Sequence, residues 1–327
     1  MTRRTKDVAQ FLATFSKIEK RLKKRKYRCM FPGCDCEAIG SHSQQEHGPL
    51  HFIAENQHVM AMDRNMQRAL YKSSELAPPE LSVRKIGIHE ASKFNGFCND
   101  HDRGVFSIIE TTPLICDNAD QALAFHRRAV AYEMWNKKLV IDLHRAVYNE
   151  VGEDNGFLAS LISDLEKLLK ADEKYTWFPL WRDNADKAFR YHWLRIDKNI
   201  GVSLASCITP LDDNSFEAYM ASCFDAASGE YNHARPFFSL SIVPGDSVTD
   251  MIFCWNVCND MNVMPWAERF MTAPDLALFL NECVFCKSED YCMRPSLWES
   301  LPEDVQRNIR ANLYMRGSDN IPNVITL

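Results

Sequence analysis

No stretch of this 327-residue chain approaches the roughly 18 consecutive apolar residues that a bilayer crossing needs. Its first residues, MTRRTKDVAQ, lack the apolar core of a secretory signal. A cytoplasmic protein with no membrane partner is therefore expected. Internal repeats and low-complexity tracts are also missing, and residues 175–327 hold no Gly-rich phosphate loop, nucleophile elbow or paired-carboxylate motif. Twelve cysteines are too few for a disulfide scaffold, and in a reducing compartment they remain thiols. Metal binding or burial must account for them. Cys116, Cys207, Cys223, Cys254 and Cys258 stand singly among apolar residues and read as core. Cys283-Val-Phe-Cys286 with Cys292 has no second pair and no nearby histidine. Its i, i+3 spacing suits neighbours on one helix, so it reads as core or partly exposed thiol.

The composition is that of a globular protein, 46% hydrophobic and 25% charged, with length enough for two or three domains. Its net charge of −6 conceals a contrast. Residues 1–28 carry eleven basic residues against Asp7 and Glu19, a balance of +9 that leaves −15 for residues 29–327. Val8, Phe11, Leu12, Phe15, Ile18 and Leu22 follow a 3-4 spacing, which predicts one amphipathic helix over 7–26. Lys20, Arg21, Lys23, Lys24, Arg25, Lys26 and Arg28 crowd its end, and such a segment can contact several phosphates of a nucleic acid.

The chain divides into a basic helical arm (1–28), a metal-built module (29–112), a helical hairpin (113–174) and an α+β domain (175–327). Residues 43–80 are polar, close with Pro78-Pro79 and read as an inserted loop. Alternation over Val83, Lys85, Ile86 and Ile88 predicts an edge strand or hairpin, and 99–110 a helix with Val105, Phe106 and Ile109 on one face. Asp117 is taken as the N-cap of a helix reaching about residue 150, and the leucines of 156–172 predict its partner. FRYHWLRI, RPFFSLSIVP and MIFCW predict strands within 191–209 and 236–256, followed by a helical tail from about 265 to 315. The fold class is thus α+β.

Four residues have the spacing of zinc ligands. Cys29-Met-Phe-Pro-Gly-Cys34 offers two thiolates across a Pro-Gly turn, and Cys98-Asn-Asp-His101 a second pair at a helix start. Cys36 competes with Cys34, and His42 is a rival for the fourth position. His47, His51, His58 and His89 read as solvated, though any of them can join a metal site.

The order of knuckle, short strand Glu37 to His42, loop, second strand and helix opening on Cys98-x-x-His101 resembles the treble-clef zinc version of the HNH, or ββα-metal, nuclease motif. The resemblance covers about 80 residues. It implies a treble-clef-like zinc module with His42 as general base, Asn95 orienting it, and Asp102, with His101 where zinc does not use it, holding Mg²⁺ or Mn²⁺ against a scissile phosphate. The sequence departs from the pattern in Ser41 before His42, in the long insertion after it, and in His101-Asp102 where a second cysteine followed by histidine is usual. AIGSHSQQ and FNGFCNDHDRGVFSIIE also resemble a signature of uncharacterised bacterial proteins, some associated with phage defence.

Trp177, Trp181, Trp193, Phe237, Phe238, Trp255 and Trp266 are numerous enough to line a pocket and suit the core of a sheet better. Two functions are therefore expected in competition. One is a zinc-binding, nucleic-acid-associated protein with HNH-like endonuclease activity. The other is a non-catalytic, zinc-stabilised interaction or sensor protein that meets a protein partner through residues 175–327.

Overall fold

The computed structural model describes residues 17–22, 24–62, 82–151, 156–272, 276–288, 290–312 and 321–327. Lys23, Pro78-Pro79 and the apolar positions Val8, Phe11, Leu12 and Phe15 lie outside the described residues. In chain order the strands are β1 (Ser41–His42), β2 (His58–Met62), β3 (Val83–Gly87), β4 (Lys93–Phe94), β5 (Phe189–Ile196), β6 (Val202–Ile208), β7 (Phe224–Asp225), β8 (Glu230–Tyr231), β9 (Phe238–Pro244), β10 (Thr249–Asn256) and β11 (Tyr291–Met293). The longer helices are α1 (Asn99–Glu110), α2 (Ala119–Val151), α3 (Gly156–Asp172), α4 (Asp213–Cys223), α5 (Asp260–Met271) and α6 (Leu276–Phe285), followed by α7 (Pro295–Ser300) and α8 (Glu303–Asn312). The fold is mixed α+β, with a helical centre. Among the described residues no helix is long and apolar enough to cross a membrane.

Seven strands form one antiparallel sheet in the order β3-β2-β11-β6-β9-β10-β5. Side chains alternate across it, and both faces are covered. Met251, Phe253 and Trp255 of β10 join Phe238, Phe270 and Phe279 in an apolar layer beneath α5 and α6. Ile252 and Cys254 turn to the other face, where α2 lies. On β9 that second face carries Ser239 and Ser241, small enough for α2 to come close. His126 of α2 uses the approach: its ring accepts from the Ser239 hydroxyl at 2.7 Å and donates to Asn256 Oδ1 at 2.7 Å. Burial pushes His126 down to about 4, so the imidazole is neutral and both nitrogens are satisfied.

α2 starts one residue later than expected. Asn118 Oδ1, not Asp117, accepts from the backbone of Gln121 at 3.0 Å, while Asp117 sits at φ +66 in the turn before the cap. The apolar stripe of the N-terminal arm appears in Ile18 and Leu22, which are buried against Leu143 and Val147 of α2 and Leu158 and Ile162 of α3. The region 43–80, expected as a loop, contributes β2, whose Val59, Met60 and Met62 are buried in the large sheet. Two of the five single cysteines are exposed: Cys116 lies in the turn before α2 and Cys258 in a helical turn after β10, where chain reversal carries the thiol to the surface. Cys207 and Cys223 are half-buried and Cys254 is core, as are Cys283, Cys286 and Cys292. Of the seven C-terminal aromatics, Trp181 and Trp266 are half-buried and the rest are core.

A candidate metal centre and its neighbouring histidine

The N-terminal module is built around a hairpin. Ala38 N donates to Tyr27 O at 2.8 Å and Cys29 N to Cys36 O at 2.8 Å, so the knuckle folds back on itself. Gly33 stands at φ +81, a conformation that side chains rarely adopt, and lets the chain reverse between Cys29 and Cys34. Met30 N to Gly96 O at 2.8 Å and Ile39 N to Phe97 O at 2.7 Å dock the hairpin on the segment entering α1. A Cβ at Gly96 would meet the Phe94 ring at 2.2 Å, so only glycine fits beside that buried aromatic. β1 pairs with β4, and α1 follows. Knuckle, two-stranded ribbon and helix thus pack around one another.

Cys29, Cys34, Cys98 and His101 converge, their ligand atoms all within 4.8 Å of one another. Cys98 Sγ lies 3.2 Å and Cys29 Sγ 3.5 Å from His101 Nδ1, and the Cys34 and Cys98 sulfurs are 4.0 Å apart. Four ligands at about 2.0–2.3 Å from a tetrahedral ion stand about 3.5–3.8 Å from each other. The set therefore fits a metal such as zinc. Burial pushes the Cys29 thiol up to about 12, whereas a backbone hydrogen bond at Cys36 and the neighbouring thiols bring Cys34 below its ordinary value. A bound cation would hold both as thiolates. The His101 ring stacks on Phe31, with centroids 3.8 Å apart, and Phe31 meets Trp181 edge-on, which fixes the imidazole towards the thiols. Cys36 is exposed beside Cys34 and stays outside the four-residue set.

His42 also stays outside it. It ends β1, half-buried, and its Nδ1 donates to Ala91 O at 2.9 Å. A carbonyl only accepts, so Nδ1 carries the proton and Nε2 keeps its lone pair. Burial lowers its pKa, as do Lys93 and Arg128, against opposing effects of the Ala91 carbonyl and Glu46, and the ring is neutral at pH 7. Glu46 Oε2 lies 3.7 Å from Nε2. Lys93 is directly across the ribbon from His42, and buried Arg128 on α2 is paired with Glu110 at the end of α1. Asn95 and Asp102 are half-buried, and neither side chain hydrogen-bonds to another described residue. Sequence reasoning missed Glu46, Lys93 and Arg128. The four-residue interval from His42 to Glu46 was a usable signal, obscured because 43–80 was taken as loop.

Lys20, Arg21, Lys24, Arg25, Lys26 and Arg28 of the arm are exposed. Several face acids of the same chain: Arg25 and Asp142 at 3.3 Å, Lys26 and Glu37 at 2.8 Å, Arg28 and Asp35 at 2.9 Å, and Arg21 and Glu150 at 3.8 Å. No family model matches this chain, and no curated protein or solved structure is similar to it.

Proposed function

We propose that this chain is a metal-dependent, HNH-like endonuclease whose Cys₃His cluster is a structural zinc centre and whose arm holds nucleic acid. The observation that carries this reading is the separation of the two histidines. His101 completes the metal cluster, while His42 ends β1 outside it, neutral, with its Nδ1 proton engaged and its Nε2 lone pair free to take a proton from water. Lys93, directly across the ribbon, and Arg128 on α2 both act on the His42 ring and help to keep it neutral. The resemblance implies Asn95 as the residue that orients His42 and Asp102 as one candidate ligand of the cation, and neither side chain hydrogen-bonds to another described residue. Mg²⁺ or Mn²⁺, when bound, supplies charge neutralisation at the scissile phosphate.

Purified protein with Mn²⁺ or Mg²⁺ is expected to nick DNA or RNA. His42→Ala should lower the rate about 10²–10⁴-fold, the usual contribution of a general base, with zinc retained at one per chain. Zinc released by His42→Ala, or a wild type that cuts nothing, would replace this reading with a non-catalytic zinc scaffold.

The arm's ion pairs are exposed, and such pairs contribute little in water, so a polyanion can compete for these cations. Nucleic-acid affinity measured by fluorescence anisotropy is expected to fall steeply between 50 and 200 mM salt, and more gently in a Lys20→Glu, Lys24→Glu variant. A flat salt series would rule out phosphate contacts.

A further inference from the structure

Glu46 lies between two imidazoles. Its Oε2 is 3.7 Å from Nε2 of His42, and its Oε1 is 3.7 Å from Nδ1 of His89. Neither separation is a hydrogen bond, and the carboxylate, about three-quarters shielded from solvent, accepts none from another described residue. With the His42 proton on Nδ1, a carboxylate oxygen and the Nε2 lone pair face each other as two acceptors, an arrangement that a cation between or beside them favours. The turns that carry the two groups are built together. Ser92 Oγ donates to Gln44 O at 3.0 Å and accepts from Gln44 N at 3.2 Å, and Ser43 N donates to Ser92 O at 3.0 Å. Glu46 follows directly on the first of these turns. On the second, Glu90 N and Ala91 N both donate to Gly87 O, which closes the turn around His89.

We infer that Glu46 and His89 hold a divalent cation beside His42, on ligands that lie outside helix α1. Two ligand atoms each about 2.1 Å from one ion are about 3.0 Å apart at a right angle. The observed 3.7 Å exceeds that distance by about 0.7 Å, and the His89 ring that would have to move is two-thirds exposed. One carboxylate with one imidazole leaves most positions of the ion to water and to phosphate oxygens, as ions of this type require at phosphodiester sites. His42 Nε2 lies 3.7 Å from the other oxygen of the same carboxylate, and its fixed Nδ1 proton keeps that lone pair available beside such an ion. The purpose of this site rests on the nuclease reading; its geometry does not.

The test is Mn²⁺ binding to the zinc-loaded full chain, followed by electron paramagnetic resonance of the free ion. One Mn²⁺ beyond the zinc is expected. Glu46→Gln and His89→Ala should each weaken it at least tenfold with zinc unchanged at one per chain. His89 is exposed, so its variant folds even if the Glu46 variant does not. Mn²⁺ affinity indifferent to both substitutions, or no Mn²⁺ bound by the wild type, overturns the site. Mn²⁺ lost only in Asp102→Asn places the ion on α1 and also overturns it. Binding that depends on Glu46 and His89 in a protein that cuts nothing supports the cation site and defeats the nuclease reading. Cleavage that needs His42 but neither Glu46 nor His89 does the reverse.

Discussion

Cys98→Ser is expected to empty the N-terminal metal cluster and to open the module around it. Cys98 is the buried ligand at the start of α1, 3.2 Å from His101 Nδ1 and 4.0 Å from the Cys34 sulfur, so its loss leaves three donors on two segments with nothing to close the set. Structural zinc contributes about 10–16 kcal/mol of apparent binding free energy at pH 7, as large as the whole stability of an ordinary domain. Met30 and Phe31 and the two hydrogen bonds to Gly96 and Phe97 remain to hold the hairpin over 27–38, while its Cys36 and Glu37 are exposed. Metal analysis should read one zinc per chain in the wild type and none in the variant, with amide exchange rising over 29–42 and 94–106. The same assay decides between the two knuckle thiols. Cys34→Ser should release zinc and Cys36→Ser should retain it, because Cys34 belongs to the converging set and Cys36 does not. Zinc retained at full occupancy by Cys98→Ser would remove the cluster from consideration.

The ligands were legible because metal geometry is written into short intervals. Two residues between Cys98 and His101 and four between Cys29 and Cys34 allow few arrangements, and α1 begins where the second pair predicts it. The helical hairpin and the strands of 189–256 were legible by period, since leucine spacing and runs of aromatic and β-branched residues each select one backbone. β11 was not, because three residues are too few to show an alternation, and neither was the pairing of β2 with it. That pairing joins Cys292 to Ala61 and Met293 to Met60, from opposite ends of the chain, and no local pattern carries such a distance. The surroundings of His42 were hidden for the same reason. Glu46 and His89 come from separate turns brought together by Ser92, and Arg128 arrives from a helix whose placement there no local pattern predicts.

A second large effect is expected far from the metal, at Asp172. This carboxylate at the end of α3 is fully buried. Its Oδ2 accepts from Lys137 of α2 at 3.1 Å and from Arg235 Nε at 3.0 Å, and its Oδ1 from the Arg235 backbone at 3.2 Å. One side chain thus ties both helices of the hairpin to the segment that enters β9. Burial alone would raise its pKa, but Lys137 and Arg235 outweigh burial and hold the carboxyl below its ordinary value. Removing one partner of such a group leaves uncompensated buried charge and costs about 3–5 kcal/mol. Asp172→Asn should therefore lower the unfolding free energy at pH 7 by that amount, and reach the arm as well, because Ile18 and Leu22 pack in the groove between α2 and α3. The pH dependence has a definite sign. A carboxyl depressed in the folded state contributes fully above its unfolded value of about 3.9 and loses that contribution as pH falls through the lower folded value. The gap between wild type and Asp172→Asn in urea denaturation should accordingly be constant from pH 7 down to about 4 and narrow below it. A gap that widens on acidification would mean that Asp172 is protonated in the folded protein and that Lys137 and Arg235 are held by other acids.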